Sequence, residues 1–298
     1  MGTEIVPFGA GSPATFTSRE PVGLIACGGR FPVVFAEKAK ECGIPVVCVA
    51  ATGMADPALT GLCSQITWQR RASLGAVIRA FRRGGVRRWT MAGKFEKKIL
   101  FRPWLLMRMV PDWRMLRFWF MRQRRANNDD SILLSLIAEF RAEGMECVSA
   151  LDLCPELLVV EGVLTKRKPS KSEERDIAFG WNLAREMGRL DVGQSVMVRE
   201  RAVLAVEAIE GTDLAILRAG ELCRRGAFVV VKIAKPEQDR RFDVPTVGTQ
   251  TIETMHRAGA TALAIEAGRT IIIDQPATVA LAEKYGITIA SFVAPPEV

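Results

Sequence analysis

The sequence predicts an α/β protein of two domains, the first built on an open parallel sheet. Three observations carry this. Short apolar runs rich in branched residues alternate with longer stretches of helical apolar spacing. Glycine or proline stands at most junctions between them. A polar segment at 164–176, LTKRKPSKSEERD, divides the 298 residues into two parts of ordinary domain size.

The elements follow in order. Residues 1–20, rich in Gly, Ser, Thr and Pro, read as a flexible tail. PVGLIACGGRFPVVFAEKAKECGIPVVCVA then gives a strand around Leu24, a glycine turn, a helix stopping at Gly43 before Pro45, and a strand around Val47. This βαβ unit implies a parallel sheet. SLGAVIRAFRRGGVRRWTMAGK repeats the logic as helix, glycine pair and a strand around Trp89. DDSILLSLIAEFRAEGMECVSALDL does so again, with Asp129 or Asp130 as cap and Gly144 as stop. Residues 21–163 therefore form a Rossmann-like open parallel sheet, and 164–176 the linker.

Residues 177–298 form a second α/β domain. It opens on the helix DIAFGWNLAREMG, followed by two strands pairing as a hairpin around Arg199 to Arg201. DLAILRAGELCRRG is helical and AFVVVKIA is a buried strand. TVGTQTIETMHRAGA reads as a helix, and TALAIEAGRTIIIDQ as strand, hairpin-like turn and strand, with Glu266 and Asp274 around the turn. PATVALAEKYGITIASFV closes the chain as helix and strand.

Composition narrows the function classes. The seven cysteines include no CxxC pair, which argues against a disulfide framework and a structural zinc site and favours reduced thiols in a cytosolic protein. His256 is the one histidine, so carboxylates, lysines and a hard metal such as Mg²⁺ are the expected tools of any catalysis. No run of about 18 uncharged apolar residues is present, so no membrane-spanning helix is expected. Residues 79–125 hold fifteen Lys and Arg against Glu96 and Asp112, whereas the whole chain carries a net +8. One face should therefore attract an anionic partner. Within that stretch Trp104, Trp113, Phe118 and Trp119 alternate with arginines. This suits an amphiphilic anion such as a phosphorylated lipid. It also fits base stacking, or two amphipathic helices burying their tryptophans.

Three constellations carry chemistry. Gly28 and Gly29 follow the first strand, where backbone N–H groups can approach a phosphate. A tight turn explains them equally, and the GxGxxG fingerprint of a dinucleotide site is absent. Lys94, after the strand around Trp89, is placed with them as a substrate-binding candidate. In the second domain Glu207 and Glu210 end a strand while Thr212 and Asp213 begin a helix. Carboxylates there can hold Mg²⁺ and the helix start can take a phosphate, although Thr212 or Asp213 also serves as an ordinary N-cap. The third is KPEQDRRFDVPTVG, residues 235–248, which leaves a strand ending in Lys232. Lys232, Lys235, Gln238 and Arg241 are candidate substrate ligands, and Asp239 and Asp243 candidate catalytic carboxylates. Pyrophosphate hydrolysis needs an oxygen-bound divalent ion, cations for the phosphates and a carboxylate to orient water. A solvated, salt-bridged loop is the competing reading of the segment.

GLIACGGRFP, DDSILLSLIAEFRAEG, PELLVVEGVLT, GRLDVGQSVMV, VLAVEAIEGTDLAILRAG, VVKIAKPEQDRRFDVPTVG and ALAIEAGRTIIID occur in this order. Together they resemble the LpxI-type UDP-2,3-diacylglucosamine pyrophosphatases of Gram-negative lipid A synthesis, over about residues 21 to 293. One motif departs, RPDW standing here as VPDW, Val110 to Trp113. The resemblance implies Mg²⁺-dependent attack of water on the α-phosphorus, releasing UMP and 2,3-diacylglucosamine 1-phosphate. It implies a C-terminal α/β domain of a family-specific kind and substrate held between two domains. It also implies a cytoplasmic protein peripheral to the inner membrane that acts on a lipid-linked nucleotide sugar. No nucleic-acid partner is expected, and a homodimer is left open. The family's essential aspartate falls on Asp243, with Asp239 as second choice. Asp243, Glu207 and Asp213 form the expected metal set. The alternatives are a non-catalytic lipid- or nucleotide-binding relative and a basic RNA-binding protein.

Overall fold

β1 (Val22–Ala26), VGLIA, contains no polar side chain because it is covered on both faces and paired on both edges. A computed structural model describes residues 16, 20–70, 73–94, 129–236, 239, 241 and 244–296. β1 lies beside β2 (Val46–Ala51) and β4 (Arg88–Ala92), with β3 (Gln65–Gln69) and β5 (Glu146–Cys147) at the edges. The order is β3-β2-β1-β4-β5 and every pair is parallel. This is the doubly wound arrangement expected of the first domain, with its order reversing between β1 and β4.

Helices α1 (Phe31–Glu41), α2 (Leu74–Arg83) and α3 (Asp129–Ala142) connect or flank these strands. In α2, Leu74, Ile78 and Phe81 are buried at i, i+4 and i+7, and Ser73 caps the helix by accepting from Ala76 N at 3.2 Å. Trp89 of β4 packs against Phe140 of α3 with ring centroids 4.1 Å apart. Gly23 is required where these rings meet, since a Cβ there would lie 2.8 Å from the Phe81 ring.

The first unit ends at Pro155 and the second resumes at Glu156, so 164–176 is not a linker. β6 (Gly162–Val163) already pairs antiparallel with β13 (Thr288–Phe292). Helix α4 then runs from Lys171 to Arg189 and is closed by a capping box, Ser170 with Glu173. The charges in this segment are spent locally and on distant backbone. Arg167 grips Glu173 through two 2.9 Å bonds and donates to Gly286 O at 3.1 Å and to Thr261 O. Thr261 Oγ1 adds a bond to Glu173 at 2.7 Å.

Burial alone would raise the Glu173 carboxyl, but the Arg167 guanidinium, Ser170 N–H and Thr261 hydroxyl outweigh it and hold the group at about 2, against 4.5 ordinarily. The unfolded chain therefore takes up the proton at higher pH. The stability contributed by this carboxylate is complete above about pH 4.5 and is lost as pH falls toward 2. Glu173→Gln is expected to cost about 2 kcal/mol near neutrality and to flatten the acid limb of a urea-melt pH series. An acid limb identical to that of the parent chain would rule the group out as its source.

The second sheet has the order β6-β13-β11-β9-β7-β8, comprising β7 (Ser195–Arg199), β8 (Ala202–Val206), β9 (Phe228–Lys232), β11 (Ala260–Glu266) and the two strands above. β9, β11 and β13 are mutually parallel, while β7 runs antiparallel to β8 and β9. The expected β7–β8 hairpin is present. Its turn residues Glu200 and Arg201 both have positive φ, 50° and 59°. Buried Asp176 of α4 holds both turn N–H groups, at 2.9 and 2.7 Å, which offsets a conformation normally left to Asn-Gly.

Alternate residues of β9 face opposite layers. Val229 and Val231 pack with Ile177, Trp181 and Ala184 of α4. Phe228 and Val230 pack with helices α5 (Thr212–Leu222), α6 (Thr249–Ala258) and α7 (Gln275–Lys284). The turn expected at 266–274 is present, with Thr270 N donating to Glu266 O at 3.0 Å, but the strands it joins do not pair as a hairpin. β12 (Ile271–Ile272) pairs in parallel with β10 (Thr246–Val247) in a sheet of their own. Among the described residues no helix is long and apolar enough to cross a membrane.

Candidate active site at the carboxyl edge of the second sheet

β8, β9 and β11 point the same way, so their carboxyl ends bring Glu207, Lys232 and Glu266 to one edge, where β7 also begins. This is where an open α/β sheet presents its ligand-binding residues. Glu207 N donates to Ser195 O at 2.8 Å, and a Cβ at Gly193 would lie 2.0 Å from Glu207 O. Only glycine allows that approach. The chain then turns through Gly211 (φ 84°, ψ 166°), again a glycine conformation, directly into α5.

Thr212, the first residue of α5, is the hub. Its Oγ1 donates to Glu207 Oε1 at 3.0 Å and accepts from Lys232 Nζ at 3.0 Å. Ser195 Oγ stands 3.5 Å from the same oxygen. Lys232 is only 6% exposed, and its Nζ also donates to Thr246 O at 3.1 Å. An ammonium so far from water persists only with such partners. Glu207 Oε2 is buried and has no hydrogen-bond partner among the described residues. An unmatched carboxylate oxygen costs about 1–3 kcal/mol or more, so it marks where a cation or donor fits.

Neither α5 nor α6 has a side-chain N-cap, their capping positions being Gly211 and Gly248. Their first turns are joined by Gln250 Nε2, which donates to Asp213 Oδ2 at 3.3 Å. The edge thus combines a buried ammonium, a carboxylate with an open oxygen and two helix starts. That set can take a phosphate group and a hard cation.

Two family models cover nearly the whole chain, the LpxI N-terminal domain over residues 21–157 and the LpxI C-terminal domain over 160–290. The UDP-2,3-diacylglucosamine pyrophosphatase LpxI of Caulobacter vibrioides is 32% identical over 276 residues, 90% of this chain and 96% of that protein. The chain belongs to the LpxI family.

In this LpxI chain the structure unites only part of the expected site. Glu207, Thr212 and Lys232 converge, while the Asp213 carboxylate is engaged by Gln250 on α6. Lys235 is not with them, since its ammonium pairs with Asp191 after α4. Asp239 accepts from Arg241 N and Nε at 3.0 Å and from Nη2 at 2.6 Å. Burial would raise the Asp239 carboxyl, but the Arg241 guanidinium outweighs this and holds it below its ordinary value. The two residues shape each other. Gln238 and Asp243 lie outside the described residues, as does the Arg- and Trp-rich stretch at 95–128.

Gly28 and Lys94 meet in the first unit of the LpxI fold, at the carboxyl ends of β1 and β4 where the strand order reverses. Gly28 N donates to Lys94 O at 3.2 Å and Lys94 N to Gly28 O at 2.7 Å. The Gly28 N–H is therefore committed, which argues against the phosphate role expected of it. Gly29 keeps a glycine-only φ of 91°. Sequence reasoning missed Ser195, Thr246 and Arg269, whose placement depends on strands remote in sequence. Among the described residues no group of three acidic, His or Cys side chains converges. The fit to Mg²⁺ therefore rests on Glu207 Oε2, a hard oxygen donor with no hydrogen-bond partner among the described residues.

Proposed function

We propose that this chain hydrolyses the pyrophosphate of UDP-2,3-diacylglucosamine, with Mg²⁺, to UMP and 2,3-diacylglucosamine 1-phosphate. The observation that carries the reading is the chain from buried Lys232 and Thr212 to half-buried Glu207 beside two uncapped helix starts, in a relative of a protein named for that reaction. Lys232 and the α5 N–H groups bind phosphoryl oxygens and offset the charge that grows on them in the transition state. Glu207, with Asp243 and Asp213, would hold Mg²⁺, which when bound supplies Lewis acidity toward the phosphate. Asp243 accepts a proton from the attacking water. The new P–O bond forms at the α-phosphorus, and the bridging oxygen departs with the sugar phosphate. Arg241, fixed by Asp239, contributes positive charge to the same loop, and Gln238 a polar contact.

A two-chain lipid substrate places the protein at the cytoplasmic surface of the inner membrane, where the basic stretch at 79–125 meets anionic headgroups. Incubation with UDP-2,3-diacylglucosamine and Mg²⁺ is expected to release UMP. EDTA should suppress that release by at least about 10²-fold, and excess Mg²⁺ should restore it. Binding without UMP release would establish a non-catalytic relative instead. Release indifferent to EDTA would remove the metal from the reaction.

A further inference from the structure

Both ends of the segment joining β9 to β10 are fastened to one short turn, residues 266–273. On the outgoing side Glu266, itself 9% exposed, accepts from Ala234 N at 2.8 Å and from Arg269 Nη1 at 3.2 Å. The other arm of the guanidinium, Arg269 Nη2, donates to Lys235 O at 2.9 Å and to Pro236 O at 3.4 Å. On the returning side Ile271 N donates to Pro245 O at 2.9 Å and Ile273 N to Val247 O at 2.8 Å. Thr246 is thereby set in register with Ile271. The turn is itself anchored, with Gly268 N donating to Val159 O at 2.7 Å and Val159 N to Thr270 O at 3.0 Å.

This arrangement bears directly on Lys232. The residue ends β9 two positions before Ala234, and one of its acceptors is the carbonyl of Thr246. The ammonium is therefore located by where the chain leaves β9 and by where it returns at β10. Glu266 and Arg269 fix the first, and the backbone two residues beyond Arg269 fixes the second. A planar guanidinium holds the carboxylate with one nitrogen and the successive carbonyls with another, whereas an ammonium must reach all its acceptors from a single nitrogen.

We propose that Arg269, held by Glu266, is a positioning residue that fixes the β9–β10 segment and with it Lys232 for phosphoryl transfer. This rests on the pyrophosphatase reading above. An ordinary surface ion pair would contribute a little stability and nothing to turnover.

The test compares Arg269→Ala, Arg269→Lys and Glu266→Gln with the parent protein by steady-state UMP release, thermal melting and trypsin digestion. Arg269→Ala is expected to lower kcat by about 10²-fold with KM within about threefold. Cleavage after Arg241 should accelerate about tenfold as the ends of the segment lose their anchorage. Arg269→Lys should recover part of both losses, since it can pair with Glu266 but cannot span the two carbonyls. Unchanged kcat in Arg269→Ala overturns the proposal. A fall in kcat with unchanged cleavage also overturns it, because the loss would not run through the segment. Should Arg269→Ala fail to fold, Arg269→Lys and Glu266→Gln carry the same comparison. If the parent protein releases no UMP, the pyrophosphatase reading fails by itself. The cleavage rates then decide whether Arg269 holds the segment: faster cleavage supports the clamp, and unchanged cleavage removes it.

Discussion

Asp243→Ala is expected to lower UMP release by about 10³-fold or more, while the variant melts close to the parent temperature. Asp243 lies between Pro236 and Pro245, prolines whose placing disfavours a continuous helix or a central strand between them. Its neighbour in the motif has another occupation. The Asp239 carboxylate receives three donors from Arg241, backbone and guanidinium together, so its removal takes those bonds from the arginine and loosens a turn. Asp239→Ala should therefore cost about tenfold in turnover, and Asp239→Asn, which keeps an acceptor, less than that. Turnover of the three variants at saturating substrate ranks the two aspartates. Full activity in Asp243→Ala, or a deeper loss in Asp239→Ala, moves the catalytic assignment to Asp239.

What the sequence disclosed, and what it hid, follows from how local each signal was. β9 was legible because FVVVK is continuously apolar up to Lys232 and covered on both faces. β3 gave no comparable signal, because QITWQ is an edge strand with most of its side chains toward water. The charged run at 164–176 read as a linker for the same reason that it is not one. Its arginine and glutamate answer Thr261 and Gly286, about a hundred residues away, and no local pattern announces those partners. The hairpin expected after β11 failed likewise, since β12 takes β10 as its partner in a parallel pairing that local spacing cannot reveal. At the site, Glu207, Thr212 and Lys232 were each visible as candidates. Their convergence depends on β7 lying antiparallel between β8 and β9, a matter of sheet order. The pairing of Lys235 with Asp191 was hidden for the same reason, since that counter-ion stands just past the end of a helix 44 residues earlier.

Lys232→Met should lower kcat by about 10²–10³-fold, the loss typical of removing one preorganised donor from a developing anion. Methionine fills nearly the same volume, so the substitution deletes charge more than packing. Two structural effects would accompany it. Thr246 O loses a donor, and the Thr212 hydroxyl keeps its bond to Glu207 but accepts nothing from the strand. The Glu207 carboxylate, whose Oε2 has no hydrogen-bond partner among the described residues, would then lose the Lys232 ammonium from this hub. Leaving a fully buried charge uncompensated costs about 3–5 kcal/mol; half-buried Glu207 should cost less, and Lys232→Met alone should still melt earlier. The double variant Lys232→Met with Glu207→Gln separates the two effects. Removing both charges should restore much of the stability, with a coupling of about 1–3 kcal/mol in the mutant cycle, and should restore none of the turnover. Recovery of turnover in the double variant would mean that Lys232 serves only to neutralise Glu207, and the phosphate role would pass to the helix starts alone.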